Sequence, residues 1–434
     1  MKIAHLTAGT GNFHCGNCHR DNALVRALRA DGHDAYLVPL YLPLVLDEPE
    51  ASPEAPLFAG GINMFLQQKL ALFRHTPRWL DRAFDATGLL RYVSRFAGMT
   101  RARDLGEMTV ETLRGTDSHQ AKEWQRLMEW LIPLRPDVVA LSNGLLAGLA
   151  PGIKRQLGCR VICSLQGEDS FLDSLPEPHR SAAWAGLAAT ARHVDRFVGV
   201  SEYYADLMAR RMGLPSGAVA VVRNGVSLDS LAPAAALPVV PTIGYFARLC
   251  HGKGLHLLIE AFILIKQRGT LPGLRLRVGG AMTAVDEAYV SSQEARLVEA
   301  GVRGDVEILP NIPAGEKEAF LQSLSVLSVP AIYGEAFGLF VIEAMACGIP
   351  VVEPEHAAFP ELIHATGGGV LCAPDDAGSL AAALEQLLLT PGLAEVVGRR
   401  GRAAVERDFS AGRMAREFAA VCAAGSVGEE RRGS

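Results

Sequence analysis

Two acidic residues eight positions apart are the strongest candidates for chemistry in this sequence. Glu335 lies in a Gly-bearing stretch, and Glu343 lies in the apolar run that follows it. This pattern predicts a helix that begins near Phe337 or Gly338, with Glu335 in the turn before it and Glu343 about two turns further on. The start of a helix presents unpaired N–H groups and a positive dipole end, which favour a phosphate. We therefore expect a phosphate site where Glu335 accepts hydrogen bonds from sugar hydroxyls and Glu343 from those of a ribose.

A pair of cations upstream fits the same ligand. Arg248 and Lys253 stand five residues apart on a Gly-bearing loop that we expect between a strand and a helix. Arginine binds phosphate oxygens through two parallel hydrogen bonds, whereas lysine acts as a point charge. The spacing predicts a diphosphate clamp, which stabilises the negative charge that grows on a leaving diphosphate. Because such a clamp can replace a metal ion, we expect no obligatory metal.

The residues around these motifs predict two α/β domains. Residues 1–7 predict a buried strand, 20–31 a helix and 34–40 the next strand, which together form the opening unit of a doubly wound domain. A Pro-rich, uncharged stretch at 230–241 predicts a linker, and a second strand–loop–helix set starts at residue 242. We therefore expect a ligand cleft between two domains of similar size.

The expected boundaries follow from this division. An N-terminal domain over 1–233 includes a largely helical segment at about 60–130, and a C-terminal domain covers 239–409. Residues 410–424 predict a terminal helix that packs back on the N-terminal domain, and 425–434 predict a disordered tail. The C-terminal domain carries both the cationic loop and the two carboxylates.

Composition excludes several classes of protein. With 42 Lys and Arg against 47 Asp and Glu, the net charge is −5 and the pI about 6.2, which argues against nucleic acid as a partner. Hydrophobic residues at 49% and charged residues at 21% rule out wholesale disorder. The N-terminus lacks the apolar core of a signal peptide, and no stretch of ~18 uninterrupted apolar residues occurs. These features predict a cytoplasmic protein.

The segment 61–103 interleaves eight Lys or Arg residues with aromatic and aliphatic side chains. Two interpretations stay open. This pattern suits contact with an anionic membrane surface, which would make the protein peripheral on the cytoplasmic membrane face. A helical insertion packed on the N-terminal domain, with its basic residues on a solvated face, explains the pattern at least as well.

Two short motifs have the composition of metal sites but favour simpler interpretations. Cys15, Cys18 and His19 have the spacing of a c-type haem attachment site, yet that chemistry needs an oxidising compartment. We interpret them as part of a Gly-rich turn. Asp375 and Asp376 indicate a turn and the N-cap of the helix that follows, rather than a metal site.

Together, the motifs resemble those of retaining glycosyltransferases of family 4, the group 1 type. Glu335 and Glu343 are similar to the E-x7-E motif of that family, and Arg248 with Lys253 to its diphosphate-binding pair. The resemblance covers the C-terminal half specifically and the N-terminal half in outline. It implies the GT-B fold, an α/β architecture in which two Rossmann-like domains face each other across an interdomain cleft.

The resemblance also implies a reaction and a role for individual residues. The reaction is transfer of a hexose from a UDP- or GDP-sugar, without a metal cofactor, to an acceptor hydroxyl of a glycan, a lipid-linked molecule or a small molecule. The residues implied as catalytic are Glu335, Arg248 and Lys253. Those implied to bind the donor are Glu343, Phe337, Gly338, Leu339, Gly11 and Asn224. The acceptor-side candidates are Gln166, Glu168 and Asp169.

Two departures from the family pattern leave a second function open. Gln166 stands where many relatives have a histidine, and Gly9 and Gly11 replace the usual Gly-Gly of the first loop. Because one fold can host several functions, the alternative is a non-catalytic nucleotide-sugar-binding or assembly subunit. Release of free nucleoside diphosphate that depends on an acceptor distinguishes the two.

Overall fold

A computed structural model describes residues 1–9, 16–46, 48–58, 102–115, 118, 121–313 and 315–424 of the chain. The chain divides into two compact units. The N-terminal unit comprises Met1–Arg223 together with Gly412–Ser434, and the C-terminal unit comprises Asn224–Ala411. Each unit is built around its own parallel sheet.

Six parallel strands form the sheet of the N-terminal unit, in the order β2-β1-β3-β4-β5-β6. Their bounds are β1 Lys2–Ala8, β2 Asp34–Leu40, β3 Val138–Leu141, β4 Arg160–Leu165, β5 Arg196–Gly199 and β6 Val219–Val221. The described helices of this unit are α1 Gly16–Ala30, α2 Ala102–Arg114, α3 Ala121–Leu134, α4 Ala150–Leu157, α5 Glu168–Ser174, α6 His179–Thr190 and α7 Glu202–Arg211. The helix predicted at 20–31 therefore begins earlier than expected, at Gly16.

The last helix of the chain, α15 (Ala411–Ala423), contributes to the core of the N-terminal unit. Met414, Phe418 and Cys422 are buried in one cluster with Leu24 of α1 and Leu37 of β2. An apolar stripe at this spacing lies on one face of a helix, so burial of that face ties the chain's end to the first sheet.

The C-terminal unit has a second sheet of six parallel strands, in the order β12-β11-β10-β7-β8-β9. Its strands are β7 Thr242–Phe246, β8 Arg275–Gly280, β9 Val306–Pro310, β10 Val326–Leu327, β11 Val351–Pro354 and β12 Gly369–Cys372. Its helices are α8 Leu255–Arg268, α9 Glu287–Glu299, α10 Lys317–Gln322, α11 Leu339–Ala346, α12 Phe359–Thr366, α13 Ala377–Leu389 and α14 Leu393–Asp408.

The strand order of the C-terminal unit determines where a ligand can bind. The chain builds outward from β7 to β8 and β9 on one side, then returns to place β10, β11 and β12 on the other. The order therefore reverses between β7 and β10, and in open α/β sheets ligands bind at the carboxyl ends of the strands at such a switch point. The loops after β7 and β10 carry the predicted clamp and Glu335.

Three predictions concern segments that lie partly or wholly outside the described residues. The helical segment at about 60–130 is described from residue 102, where α2 and α3 are helices as expected. The basic and aromatic stretch 61–103 falls almost wholly outside the described residues, and the tail 425–434 falls outside them entirely. Within the described residues, no single helix has the length and hydropathy to cross a bilayer; only α13 and α14 joined across their 98° bend pass that test, by length and composition.

Candidate active site

The two loops at the switch point of the C-terminal sheet pass in direct contact. The turn His251–Lys253 follows β7, and the next residue, Gly254, has a φ of +73°. A Cβ on Gly254 would lie 1.8 Å from the carbonyl oxygen of Pro330, in the segment after β10. The N–H of Ile332 also donates to the carbonyl of Gly252 at 3.0 Å. Only glycine permits both this backbone conformation and this close approach. The contact between the two loops brings Lys253 and Glu335 together.

Lys253 and Glu335 form an ion pair across these loops. Their side chains are only 17% and 14% exposed. The hydroxyl of Tyr333 donates to Oε2 of Glu335 at 3.3 Å, and its ring centroid lies 4.9 Å from Nζ of Lys253. Burial alone lowers the pKa of Lys253, but the adjacent Glu335 and Tyr333 outweigh it and hold that pKa above its usual value. Lys253 therefore stays a cation at this site.

Arg248 is held by a different carboxylate. Its Nε donates to Oδ2 of Asp286 at 3.3 Å and its second terminal nitrogen to Oδ1 at 3.2 Å. Asp286 also accepts from the N–H and hydroxyl of Thr283, at 2.9 and 2.7 Å. The Asp286 side chain is 6% exposed, whereas that of Arg248 is 51% exposed. The buried carboxylate of Asp286, which accepts four hydrogen bonds, thus fixes one edge of the Arg248 guanidinium and leaves the other edge accessible.

Helix α11 begins where the sequence predicts a helix. Gly338 is its N-cap residue, with a φ of +88°, and Leu339 is its first helical residue. In this first turn the N–H of Val341 donates to the carbonyl of Gly338 at 3.0 Å. The N–H groups of Leu339 and Phe340 lie at the start of the helix, where the sequence predicts a phosphate. Phe337 is 2% exposed and packs against Phe409, with ring centroids 6.3 Å apart. Its side chain is therefore part of the core, and only its backbone is suited to ligand contact.

Glu343 lies in the second turn of α11 and is also paired. Its Oε1 lies 3.0 Å from Nζ of Lys317, the first residue of α10, and the two side chains are 14% and 18% exposed. The structure does not join Glu343 to Lys253. The two predicted carboxylates thus have separate cation partners on separate elements.

The acceptor-side candidates lie at the carboxyl ends of β3 and β4 in the N-terminal unit. Glu168 is 6% exposed and accepts from the N–H groups of Gly144 and Gln166, at 2.6 and 2.8 Å, and from the hydroxyl of Tyr204 at 3.0 Å. Burial raises the pKa of Glu168 although these hydrogen bonds oppose the shift. Asp169 accepts from the same hydroxyl at 3.0 Å, and partial burial raises its pKa too. Glu168 therefore ties three backbone segments together.

The other predicted positions have varied outcomes. Gln166 directs its amide NH₂ to the carbonyl of Ser142. Asn224 is 4% exposed and is the first residue of the C-terminal unit, although the sequence predicts it within the N-terminal domain. Gly11 lies outside the described residues. Across the described ranges, no cluster of three or more His, Cys, Asp or Glu side chains is arranged to hold a metal ion.

The partners of the predicted residues are what sequence reasoning missed. Asp286, Lys317, Tyr333 and Tyr204 each bond to a predicted residue, yet sequence reasoning assigned none of them a role. Tyr333 and Tyr204 had a signal, since Tyr333 opens the stretch that contains Glu335 and Tyr204 ends the motif Val200–Tyr204, which resembles a strand end of the family. The others come from distant segments that only the fold brings near.

Comparison with known families covers both units. The family described as Glycosyl transferases group 1 matches residues 238–404, and that described as Glycosyltransferase Family 4 matches residues 105–230. The putative colanic acid biosynthesis glycosyltransferase WcaL of Escherichia coli K12 is 34% identical over 244 residues, which are 53% of this chain and 57% of that relative. The chain thus spans a little over half the length of this curated relative.

Solved structures match the whole fold at lower identity. Sucrose-phosphate synthase from Thermosynechococcus elongatus has a TM-score of 0.70 at 18% identity, over 97% of this chain and 98% of its own. Anabaena HepE, solved in complex with UDP-glucose, has a TM-score of 0.65 at 16% identity, over 97% and 99%. These similarities show the α/β two-domain GT-B fold. With both family matches and the predicted motifs in place on that fold, the chain belongs to the group 1 glycosyltransferases of family 4.

Proposed function

We propose that this protein is a retaining glycosyltransferase that moves a hexose from a nucleotide diphosphate sugar to an acceptor hydroxyl. The observation that carries the proposal is the contact of Lys253 with Glu335 beside the first turn of α11, at the switch point of the C-terminal sheet. A cation, a carboxylate and the N–H groups at the start of α11 lie near one another there, since a Cβ on Gly338 would lie 3.7 Å from Cγ of Glu335. This combination suits a diphosphate joined to a sugar.

In the proposed reaction, the bond between the anomeric carbon and the diphosphate oxygen breaks, and its electron pair stays on the diphosphate. Lys253, the accessible edge of Arg248 and the N–H groups at the start of α11 stabilise that growing charge. Glu335 accepts hydrogen bonds from the sugar hydroxyls, and Glu343 from the ribose hydroxyls. The acceptor oxygen forms the new bond to the anomeric carbon, and its proton leaves with the departing diphosphate. No obligatory metal is part of this proposal.

The ion pair of Lys253 has a consequence for how the donor binds. Lys253 cannot give its full charge to a diphosphate while Glu335 holds it. Donor binding therefore loosens this pair, which frees Glu335 for the sugar hydroxyls at the moment that the diphosphate arrives. In this arrangement, Glu335 becomes available to the sugar only when a diphosphate binds beside Lys253.

We propose a UDP-sugar as the donor ahead of a GDP-sugar, because the structural neighbour HepE was solved with UDP-glucose. The acceptor is proposed to be part of a growing polysaccharide or glycolipid, since WcaL is described as a colanic acid biosynthesis enzyme. A cytoplasmic location, with or without peripheral membrane contact through 61–103, completes the proposal. Flotation with anionic liposomes at low salt tests that contact, and protein left in the soluble fraction argues against it.

The donor is tested by thermal shift with a panel of UDP- and GDP-sugars. A binder at 100 times its dissociation constant stabilises the protein by about 2.7 kcal/mol, which is easily measured. The matched control is E355Q, which removes an exposed carboxylate from the same unit. E335Q should transfer sugar more slowly whereas E355Q keeps the wild-type rate, and retention of full transfer by E335Q contradicts the proposal.

Transfer itself is tested by release of nucleoside diphosphate with and without candidate acceptors. Release that depends on an acceptor supports a transferase. Tight donor binding without release in the presence of any oligosaccharide or lipid-linked acceptor supports the non-catalytic alternative, in which the same residues bind a nucleotide sugar without turnover.

A further inference from the structure

A fully buried acid lies beneath the candidate active site and is not used by the proposed reaction. Glu353 is the third residue of β11, and its exposure is 0%. Its Oε1 accepts from the N–H of Val329 at 3.2 Å. Within the described residues, its Oε2 has no hydrogen-bond partner. Burying a carboxyl group with an unpaired oxygen costs free energy, so we expect this group to have a role.

The contact with Val329 indicates that role. Val329 follows β10 and opens the segment that leads through Pro330 to Tyr333 and Glu335. The carboxyl of Glu353 thus bonds to the first residue of the segment that carries Glu335. Pro330 in this segment lies close to Gly254, the residue after Lys253. A shift at Val329 would therefore move the loop that carries Glu335 relative to the loop that carries Lys253.

The charge state of Glu353 follows from its surroundings. Lys253 is the cation that acts on it, but Lys253 is already paired with Glu335. The other titratable groups that interact with it are Glu335, Tyr245 on β7 and Cys372 on β12. Ionisation of Glu353 would create a second buried negative charge without a cation of its own, which is strongly disfavoured. It would also make Glu353 compete with Glu335 for Lys253.

We propose that Glu353 is a positioning residue that acts as a neutral carboxylic acid, holding the N–H of Val329 so that Glu335 meets Lys253. Neutrality matters because an ionised Glu353 would place a second negative charge near the diphosphate position. Burial, with a contribution from Glu335, raises the pKa of Glu353 well above its usual value, which agrees with the geometry. This inference rests on the proposed function for the role of Glu335, but not for the charge state of Glu353.

The charge state has a direct test in the pH dependence of stability. In the unfolded chain Glu353 ionises near its ordinary value of 4.5, whereas in the folded protein it keeps its proton. Unfolding therefore releases a proton above that pH, and the wild-type folding equilibrium constant falls by up to about tenfold per pH unit relative to E353Q. The cost of burying the glutamine amide in E353Q does not change with pH, so it does not affect the pH dependence of the difference in stability. The loss stops where the pH reaches the folded-state pKa.

The experiment is urea unfolding of the full chain from about pH 5.5 to about pH 8, followed by far-UV circular dichroism. Tryptophan fluorescence is unsuitable, because all four tryptophans belong to the N-terminal unit. The matched control is E385Q, since Glu385 is also buried in the C-terminal unit but is paired with Arg268. We expect the wild-type protein to lose stability steadily against E353Q and not against E385Q. An E353Q difference that stays constant with pH overturns the proposal.

A second measurement tests the positioning role. E353Q keeps an acceptor for the Val329 N–H and should retain kcat near neutral pH, whereas E353A leaves that N–H unpaired and should lower kcat at least about tenfold. The infrared difference spectrum of the wild-type protein minus E353Q should contain the band of a protonated carboxylic acid. Equal kcat for E353A and E353Q overturns the positioning role. If no variant, including the wild type, transfers sugar, the proposed function fails while the unfolding and infrared results still decide the charge state.

Discussion

Replacing Glu335 with glutamine is expected to tighten the binding of bare UDP while it slows sugar transfer. Lys253 is paired with Glu335, and both side chains are more than four-fifths buried. A diphosphate must draw Lys253 away from that carboxylate before it gains the full charge of the lysine. Glutamine keeps the shape of the side chain but removes the competing charge, so UDP meets a lysine that lacks its partner.

The size of the effect follows from the burial of the pair. Exposed ion pairs contribute about 0–1 kcal/mol, and removing one partner of a fully buried pair costs about 3–5 kcal/mol. Lys253 and Glu335 lie between these limits, so the competing interaction is about 1–2 kcal/mol. UDP should therefore bind E335Q about 5- to 30-fold more tightly than the wild-type protein. Loss of a hydrogen bond from a sugar hydroxyl to a charged group, about 1.5–3 kcal/mol, should lower kcat about 10- to 150-fold.

Isothermal calorimetry with UDP measures the first effect, and initial rates with a saturating donor measure the second. E355Q serves as the control, because it removes a carboxylate of the same unit that is exposed. Weaker or unchanged UDP binding by E335Q refutes the idea that Glu335 competes for Lys253. Normal turnover by E335Q together with an inactive E343Q would show that the roles of the two carboxylates are reversed.

Three further predictions follow from the same site. Arg248→Ala and Lys253→Ala should each lower kcat/KM by the equivalent of about 2.7–4 kcal/mol, by analogy with other single electrostatic donors, and steady-state kinetics with normal values for both would show that this loop does not bind the diphosphate. Glu343→Ala should mainly raise the donor KM, because ribose contacts are similar in the ground and transition states; a fall in kcat at unchanged KM contradicts this. Gly254→Ala should destabilise the protein and weaken UDP binding together, since its Cβ meets the carbonyl of Pro330; urea unfolding and calorimetry check both, and a stable variant with normal affinity excludes the close approach.

Local signals in the sequence predicted individual elements well. The start of α11 falls at Gly338, as the change from a Gly-bearing turn to an apolar run indicates. Asp376 caps α13 as predicted, with its Oδ1 accepting from the N–H of Ser379 at 2.9 Å. Both features depend on a few neighbouring residues, so a single sequence contains all of the information that they need.

Pairings between distant segments could not be predicted in this way. Lys253 and Glu335 are 82 positions apart, and Arg248 and Asp286 are 38 apart. The types of the charged residues suggested a ligand for each, but their pairing with one another depends on the strand order, which places β7 beside β10 and β8. The same limit explains Glu168, which the sequence suggested as an acceptor-side residue and which accepts a hydrogen bond from Tyr204, 36 positions later.

The strand order also explains how the charged groups of the site hold its loops together. Two of its ion pairs link the loop after β7 to its neighbours, through Asp286 in the segment after β8 and through Glu335 in the segment after β10. Each pair joins the loops of adjacent strands at the carboxyl edge of the sheet. The charges that the proposed reaction needs therefore hold the loops in place before the donor arrives, which reduces the ordering needed on binding.

The two cations of the clamp differ in what a diphosphate must displace. Arg248 is half exposed, and Asp286 holds one edge of it while Thr283 supplies two more hydrogen bonds to that carboxylate. A phosphate can therefore approach the free edge of Arg248 without breaking its ion pair. Lys253 is buried against Glu335 and must share its charge. For the proposed reaction we therefore expect the diphosphate to bind Arg248 first and Lys253 second, and Glu335 to become available to the sugar only after that.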